Sequence, residues 1–143
     1  MIYSKNGLHL TEQFEGCKLV AYQDQKGVWT IGYGHTRNVY AGMTCTQDQA
    51  ELWLLEDVQE AADGVNHSVI MPLTQNQFDA LVDLVFNVGV GNFRTSTLLR
   101  MLNIGAYDRA ANEFEKWNRS GGIVREGLTR RRLAEKNIFL EVT

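Results

Sequence analysis

FEGCKLVAYQDQKGVWTIGYGHT, residues 14 to 36, is the stretch that decides the fold, because it changes its period in the middle. Leu19 to Tyr22 and Val28 to Tyr33 are rich in aromatic and β-branched residues, and the polar turn Gln23 to Gly27 separates them, which predicts a β-hairpin. Gly32 and Gly34 loosen its second strand. Upstream, Leu8, Leu10 and Phe14 recur at loosely helical spacing from Ser4 to Glu15, with Gly16 as a stop. A short helix therefore delivers the chain into the hairpin. Glu15 ends that helix, Asp24 sits in the turn, and Thr30 lies on the returning strand.

Everything after the hairpin reads as helix. Thr46 and Gln49 have the spacing of a capping box, and Ala50, Trp53, Leu54, Val58, Ala61 and Val65 form one apolar stripe of roughly five turns. Thr74 and Gln77 repeat the capping signal after Pro72. The following run, Phe78 to Phe86, is apolar enough to predict burial deep in the core, ending at Gly89 and Gly91. A shorter helix is expected over Ser96 to Leu102, and another carries Tyr107, Ala110, Ala111, Phe114 and Trp117 on one side. After the loop Ser120 to Gly122, a last amphipathic helix starts near Leu128.

This order predicts an α+β chain with one domain over 1–143. The β-containing lobe covers about 16–60 and the helical lobe about 1–15 plus 61–143, joined by the long helix. Two unequal lobes leave a groove between them, and a groove suits an extended polymer better than a closed pocket does.

The net charge of −3 argues against a nucleic-acid partner, but it hides an asymmetry. Residues 1–90 carry a net −7 and residues 91–143 a net +4, with the tightest basic cluster at Arg125, Arg130, Arg131 and Arg132. That cluster reads either as a solvated helix face or as a cleft edge attracting an anionic polymer. Cys17 and Cys45 have no metal-ligand spacing and read as small buried side chains. His35, with His9 and His67 far from it in sequence, offers no metal site either. No cofactor is implied. The N-terminal residues lack an apolar segment of signal-peptide or membrane length, so no membrane anchor is expected there.

Two carboxylates and a hydroxyl on three elements around one groove are what glycosidic hydrolysis requires. One acid protonates the leaving oxygen while a second group deals with water or the sugar cation. Taken singly, each has a plainer role: a solvated charge at a helix end, a turn aspartate capping its own backbone, a strand threonine.

The words around them carry more. FEG at 14–16, AYQD at 21–24 and WTIGYGHT at 29–36 resemble the phage lysozyme family, whose glutamate, aspartate and threonine stand nine and then six residues apart, as Glu15, Asp24 and Thr30 do. The resemblance continues through PLTQNQFDALVDLVFNVGVGNF, STLLRMLN, Trp117 and GLTRRRLAE, and the short helical lobe resembles the endolysins of lambdoid phages more than the longer members of the family. It implies a lysozyme-like fold, a monomer, and inverting hydrolysis of the bond from N-acetylmuramic acid to N-acetylglucosamine in peptidoglycan glycan strands. It also implies residence in the host cytoplasm until release through a holin pore.

In this reading Glu15 is the general acid, with its acid form favoured by partial burial, and Asp24 with Thr30 positions water. Inverting sites keep their carboxyls about 6.5 to 9.5 Å apart to admit that water. The substrate-side residues implied are Phe86, Asn87, His35 and Arg130. Asn87 is placed to bond sugar amides, with core packing and a helix end as the alternative for it and Phe86. His35 tethers the β lobe through a polar contact, and Trp117 reads as core rather than sugar platform. Arg130 is nearest the position that pairs with the glutamate, with Arg131 and Arg132 one helical step away. Two rivals stand against hydrolysis. A lytic transglycosylase has no need of Asp24 and Thr30, and a wall-binding module on the same fold needs no catalytic set at all.

Overall fold

The computed structural model describes residues 1–141. Helix α1, Lys5–Glu15, is capped by Ser4, whose hydroxyl accepts from Gly7 N–H, and it ends at Gly16. Strands β1, Lys18–Gln23, and β2, Trp29–Gly32, form the antiparallel hairpin, with an irregularity between Lys18 and Tyr22.

Helix α2, Gln47–Ser68, crosses from a small apolar cluster, Tyr33, Ala50, Leu54 and Val58, to a large one beginning at Ala61. Its 22 residues make about six turns, one more than its apolar stripe predicts, because no breaker follows Val65 before Pro72. Thr46 accepts from Gln49 N–H at its start. The reciprocal bond of a full capping box is made at α3, Gln75–Val88, where Gln77 returns to the Thr74 backbone.

α3 is the spine of the helical lobe. Phe78, Ala80, Leu81, Val82, Leu84 and Val85 are all buried, and α1, α2 and the C-terminal helix α7, Glu126–Leu140, pack around them. Helices α4, Val90–Arg94, α5, Thr97–Asn103, and α6, Tyr107–Glu113, lie between α3 and α7 in the chain, the last running into a 3-10 turn at Phe114–Lys116. α4 stands where Gly89 and Gly91 read as a break. The buried ring of Phe93 anchors it all the same. Likewise the loop at Ser120 to Gly122 is the tip of a two-residue hairpin, β3, Arg119–Ser120, with β4, Ile123–Val124. Gly121 and Gly122 both have positive φ there, as tight hairpin turns require.

Helix α7 starts two residues earlier than its apolar pattern suggests. Its inward face is Arg131, Arg132, Glu135 and Phe139, so the arginine cluster is no uniform solvated surface. Cys17 and Cys45 are free and half-buried rather than core.

Candidate active site

Glu15 stands where α1 hands over to the hairpin, with its side chain 20% exposed. Its two oxygens have different surroundings. Oε2 accepts from Arg131 Nη1 at 2.6 Å. Oε1 lies over Gly34, so close that a Cβ at that position would sit 2.8 Å from it, and the Gly34 φ of +80° disfavours any side chain independently. We therefore expect Gly34→Ala to leave a folded protein but to displace Glu15 and cut the rate of lysis by about 10²-fold, which turbidity clearing would measure.

Beside Glu15 opens a groove of about 370 Å³. Gly34, Thr36 and Arg37 form one wall, Asp57 and Glu60 of α2 another, and Phe86 and Asn87 a third at the end of α3. A second depression of about 610 Å³ runs between Gln25 of the hairpin turn, Phe14, and the start of α7 at Arg125, Arg130 and Arg131. The two depressions flank the Glu15–Arg131 pair.

The hairpin supplies the other two candidates. Asp24 is exposed, and its Oδ1 accepts from Lys26 N–H at 2.8 Å and Val28 N–H at 2.9 Å, so it does cap its own turn. Among the described residues Oδ2 receives no bond. Thr30 is buried, and its hydroxyl donates to the Val28 carbonyl at 3.0 Å. Register pairs Tyr22 with Thr30, and two-residue alternation puts Asp24 on the same face of the hairpin as Tyr22. Burial raises the Tyr22 phenol pKa, and the charges of Glu15 and then Asp24 add to the rise. Tyr22 thus lies within electrostatic reach of both carboxylates, a role its sequence neighbourhood does not signal.

Behind Glu15 is a buried ionic cluster. Asp83 of α3 takes Arg131 bidentately, at 3.0 Å from Nε and 2.9 Å from Nη2, and Thr11 donates to Asp83 at 2.7 Å. Burial works against the charged form of Asp83, but hydrogen bonds from Glu135 and Arg131 and the Arg131 charge hold it below the usual carboxylate range. For Glu135 the balance goes the other way. Burial and its contact with Asp83 push it well above the ordinary glutamate value, against the pull of Arg132 and Arg131. Because the folded protein favours protonated Glu135, this contribution to stability is complete below the ordinary glutamate range and is lost as pH rises through the elevated value. Tm of the wild type should accordingly carry a decline as pH rises from the ordinary glutamate range through the elevated value, and Glu135→Gln should remove that decline in a thermal scan across pH.

The Arg130 assignment needs correction. Its side chain is 66% exposed and pairs with Glu126 one turn back, while Arg131 is the residue that reaches Glu15. Helical phase is the reason: burial of Glu135 and Phe139 draws in Arg131 at the same i, i+4 spacing and leaves Arg130 about 100° away on the outer face. His35 does not line the groove. It is buried, with Nδ1 2.8 Å from Asp57 and its ring stacked on Trp53 at 4.5 Å, so it ties the chain after β2 to α2. Phe86 and Asn87 do border the groove, and Trp117 packs against the large core cluster. Among the described residues no group of three or more His, Cys, Asp or Glu side chains is placed to hold a metal, and no helix is long and apolar enough to cross a membrane.

A partly buried carboxyl at a helix end, facing an open groove and a small hairpin across from a helical bundle, defines the class of lysozyme-like glycoside hydrolases. Comparison with known proteins narrows this. A family model described as Phage lysozyme matches residues 12–135. The chain is 46% identical over 143 residues to an endolysin of Acyrthosiphon pisum secondary endosymbiont phage 1, covering 97% of this chain and 98% of that one. It is 41% identical to the endolysin of Salmonella phage P22 over 145 residues, covering 98% and 99% of the two chains. Among solved structures, the muramidase domain of SpmX from Asticaccaulis excentricus superposes with a TM-score of 0.92 at 40% identity, with 97% of each chain covered. The chain belongs to the phage lysozyme family. It is a lysozyme-type glycoside hydrolase, of a family that acts on peptidoglycan.

Proposed function

We propose that this protein is an endolysin muramidase that hydrolyses, with inversion, the β-1,4 bond from N-acetylmuramic acid to N-acetylglucosamine, with Glu15 as general acid and Asp24 with Thr30 as the water-handling pair. The observation that carries the reading is the division of labour among oxygens. Glu15 Oε2 is committed to Arg131, which leaves Oε1 to carry the proton. Asp24 Oδ1 is committed to two backbone N–H groups, which leaves Oδ2 to take a proton from water. The Thr30 hydroxyl gives its own proton to Val28, so towards water it acts as an acceptor.

In the reaction, Glu15 Oε1–H protonates the glycosidic oxygen as the C1–O bond breaks. A water held by Thr30 and Asp24 attacks C1 from the opposite face and gives its proton to Asp24. Glu15 ends ionised and Asp24 protonated, and exchange with solvent restores both. Phe86 and Asn87 line the sugar path, with Asn87 free to bond acetamido groups.

Thr30→Ala should fold normally and lyse cells several-fold more slowly, as loss of one neutral hydrogen bond, about 1 kcal/mol, would produce. Mass spectrometry of digested peptidoglycan tests the reaction as a whole: hydrolysis leaves reducing muramic acid ends, whereas anhydromuramic ends would identify a lytic transglycosylase. We further propose a single domain, with lobes at 16–60 and at 1–15 plus 61–143, acting as a monomer. It is held in the host cytoplasm until a holin pore releases it to the wall.

A further inference from the structure

The cluster behind Glu15 contains more carboxyls than the ion pairing there uses. Glu135 Oε2 lies 3.9 Å from Arg131 Nε and receives Arg132 Nη2 at 3.1 Å. Arg132 Nε and Glu135 Oε1 are 2.7 Å apart yet misaligned, and both are left without a hydrogen bond among the described residues. Asp83, Glu135 and Arg132 are fully buried, and Arg131 nearly so. Asp83 Oδ2 and Glu135 Oε2 both converge on Arg131 Nε, at 3.0 and 3.9 Å, away from water. Two ionised carboxylates have only acceptors to offer each other, so crowding them around one N–H favours a proton on one of them.

Charge counting leads to the same place. Glu15, Asp83 and Glu135 face Arg131 and Arg132, which leaves one negative charge in excess if every acid is ionised. Away from water such an excess is removed by protonation. Asp79, the remaining nearby acid on α3, is occupied by Ser4 and Gln75, and Tyr3, ahead of α1, engages Thr11.

We propose that Asp83 and Glu135 are positioning residues for Glu15: they share one proton, and together they fix the Arg131 guanidinium so that it holds Glu15 Oε2 while dividing its charge between Glu15 and Asp83. This rests on Glu15 being the general acid. Bidentate pairing locks the plane of Arg131, and its remaining Nη1 then points at a single oxygen of Glu15. Asp83 also shields Glu15 from the full Arg131 charge, which would otherwise oppose the acid form that catalysis needs.

The pH profile of kcat/KM on soluble glycan fragments separates this from a purely structural role. Asp83→Asn should move the alkaline limb to lower pH by about one unit, since Glu15 is then the only acid that Arg131 hydrogen-bonds, with Glu135 standing 3.9 Å from it. A uniform loss of rate with the limb unmoved would overturn the positioning role. Asp83→Ser gives the same reading should the asparagine variant fail to fold. Infrared difference spectra of wild type against Glu135→Gln at neutral pH need no activity. A protonated carboxyl stretch present only in the wild type is expected, and carboxylate bands alone would overturn the shared proton. Wild-type kcat/KM in Glu15→Gln, with the carboxyl band still present, would instead count against Glu15 as the acid.

Discussion

Glu15→Gln is expected to abolish lysis, lowering the rate by about 10² to 10⁴-fold, while the protein stays folded. Glutamine keeps the shape of the side chain and an oxygen to accept from Arg131, so the groove is preserved and only the transferable proton is lost. Turbidity clearing paired with a thermal melt checks both halves. Clearing at the wild-type rate would place the acid elsewhere.

Replacing Arg131 by methionine has the largest expected effect on stability. Among the described residues Arg131 is the only guanidinium that bonds both Asp83 and Glu15, and its side chain is 5% exposed. Removing one partner of a buried pair costs about 3 to 5 kcal/mol, because the charge left behind is unpaired. For a chain of this size that is on the order of 10 °C in Tm. The loss should depend on pH with a definite sign. Asp83 is held below its ordinary value, so its contribution is present above the ordinary carboxylate range and disappears as pH falls through the folded-state value. Melts of wild type and variant should therefore differ most near neutrality and converge in acid. A variant as stable as wild type at pH 7 would contradict this account of the cluster.

How much of this is legible in the sequence follows from what each kind of pattern records. The hairpin is plain because Leu19 to Tyr22 and Val28 to Tyr33 flank a turn whose aspartate caps its own backbone. Ser4, Thr46, Thr74 and Ser96 all cap helices, a local event that sequence spacing expresses directly. The groove-facing Glu15, Phe86 and Asn87 are reached through family likeness rather than through periodicity.

The ionic cluster is hidden for a physical reason. Asp79 and Asp83 sit within the most apolar run of the chain, and their apolar neighbours mask them from any reading that follows the run as a whole. Two acids one helical turn apart inside a buried segment nonetheless demand partners, which points to the arginines of α7. Which arginine answers Asp83 depends on the rotation of α7 about its axis, and the family likeness that suggests Arg130 does not record that rotation to within one residue. α4 and the β3–β4 hairpin escape notice because they are too short for any period to show.

The proposed chemistry requires water to enter on the face opposite the departing sugar. Proton NMR of freshly cleaved glycan, recorded before the new reducing end mutarotates, reads this directly. The α-anomer of the muramic acid end is expected to appear first, from a β-linked substrate. An initial β-anomer would mean retention, and would make Asp24 a nucleophile rather than the holder of a water molecule.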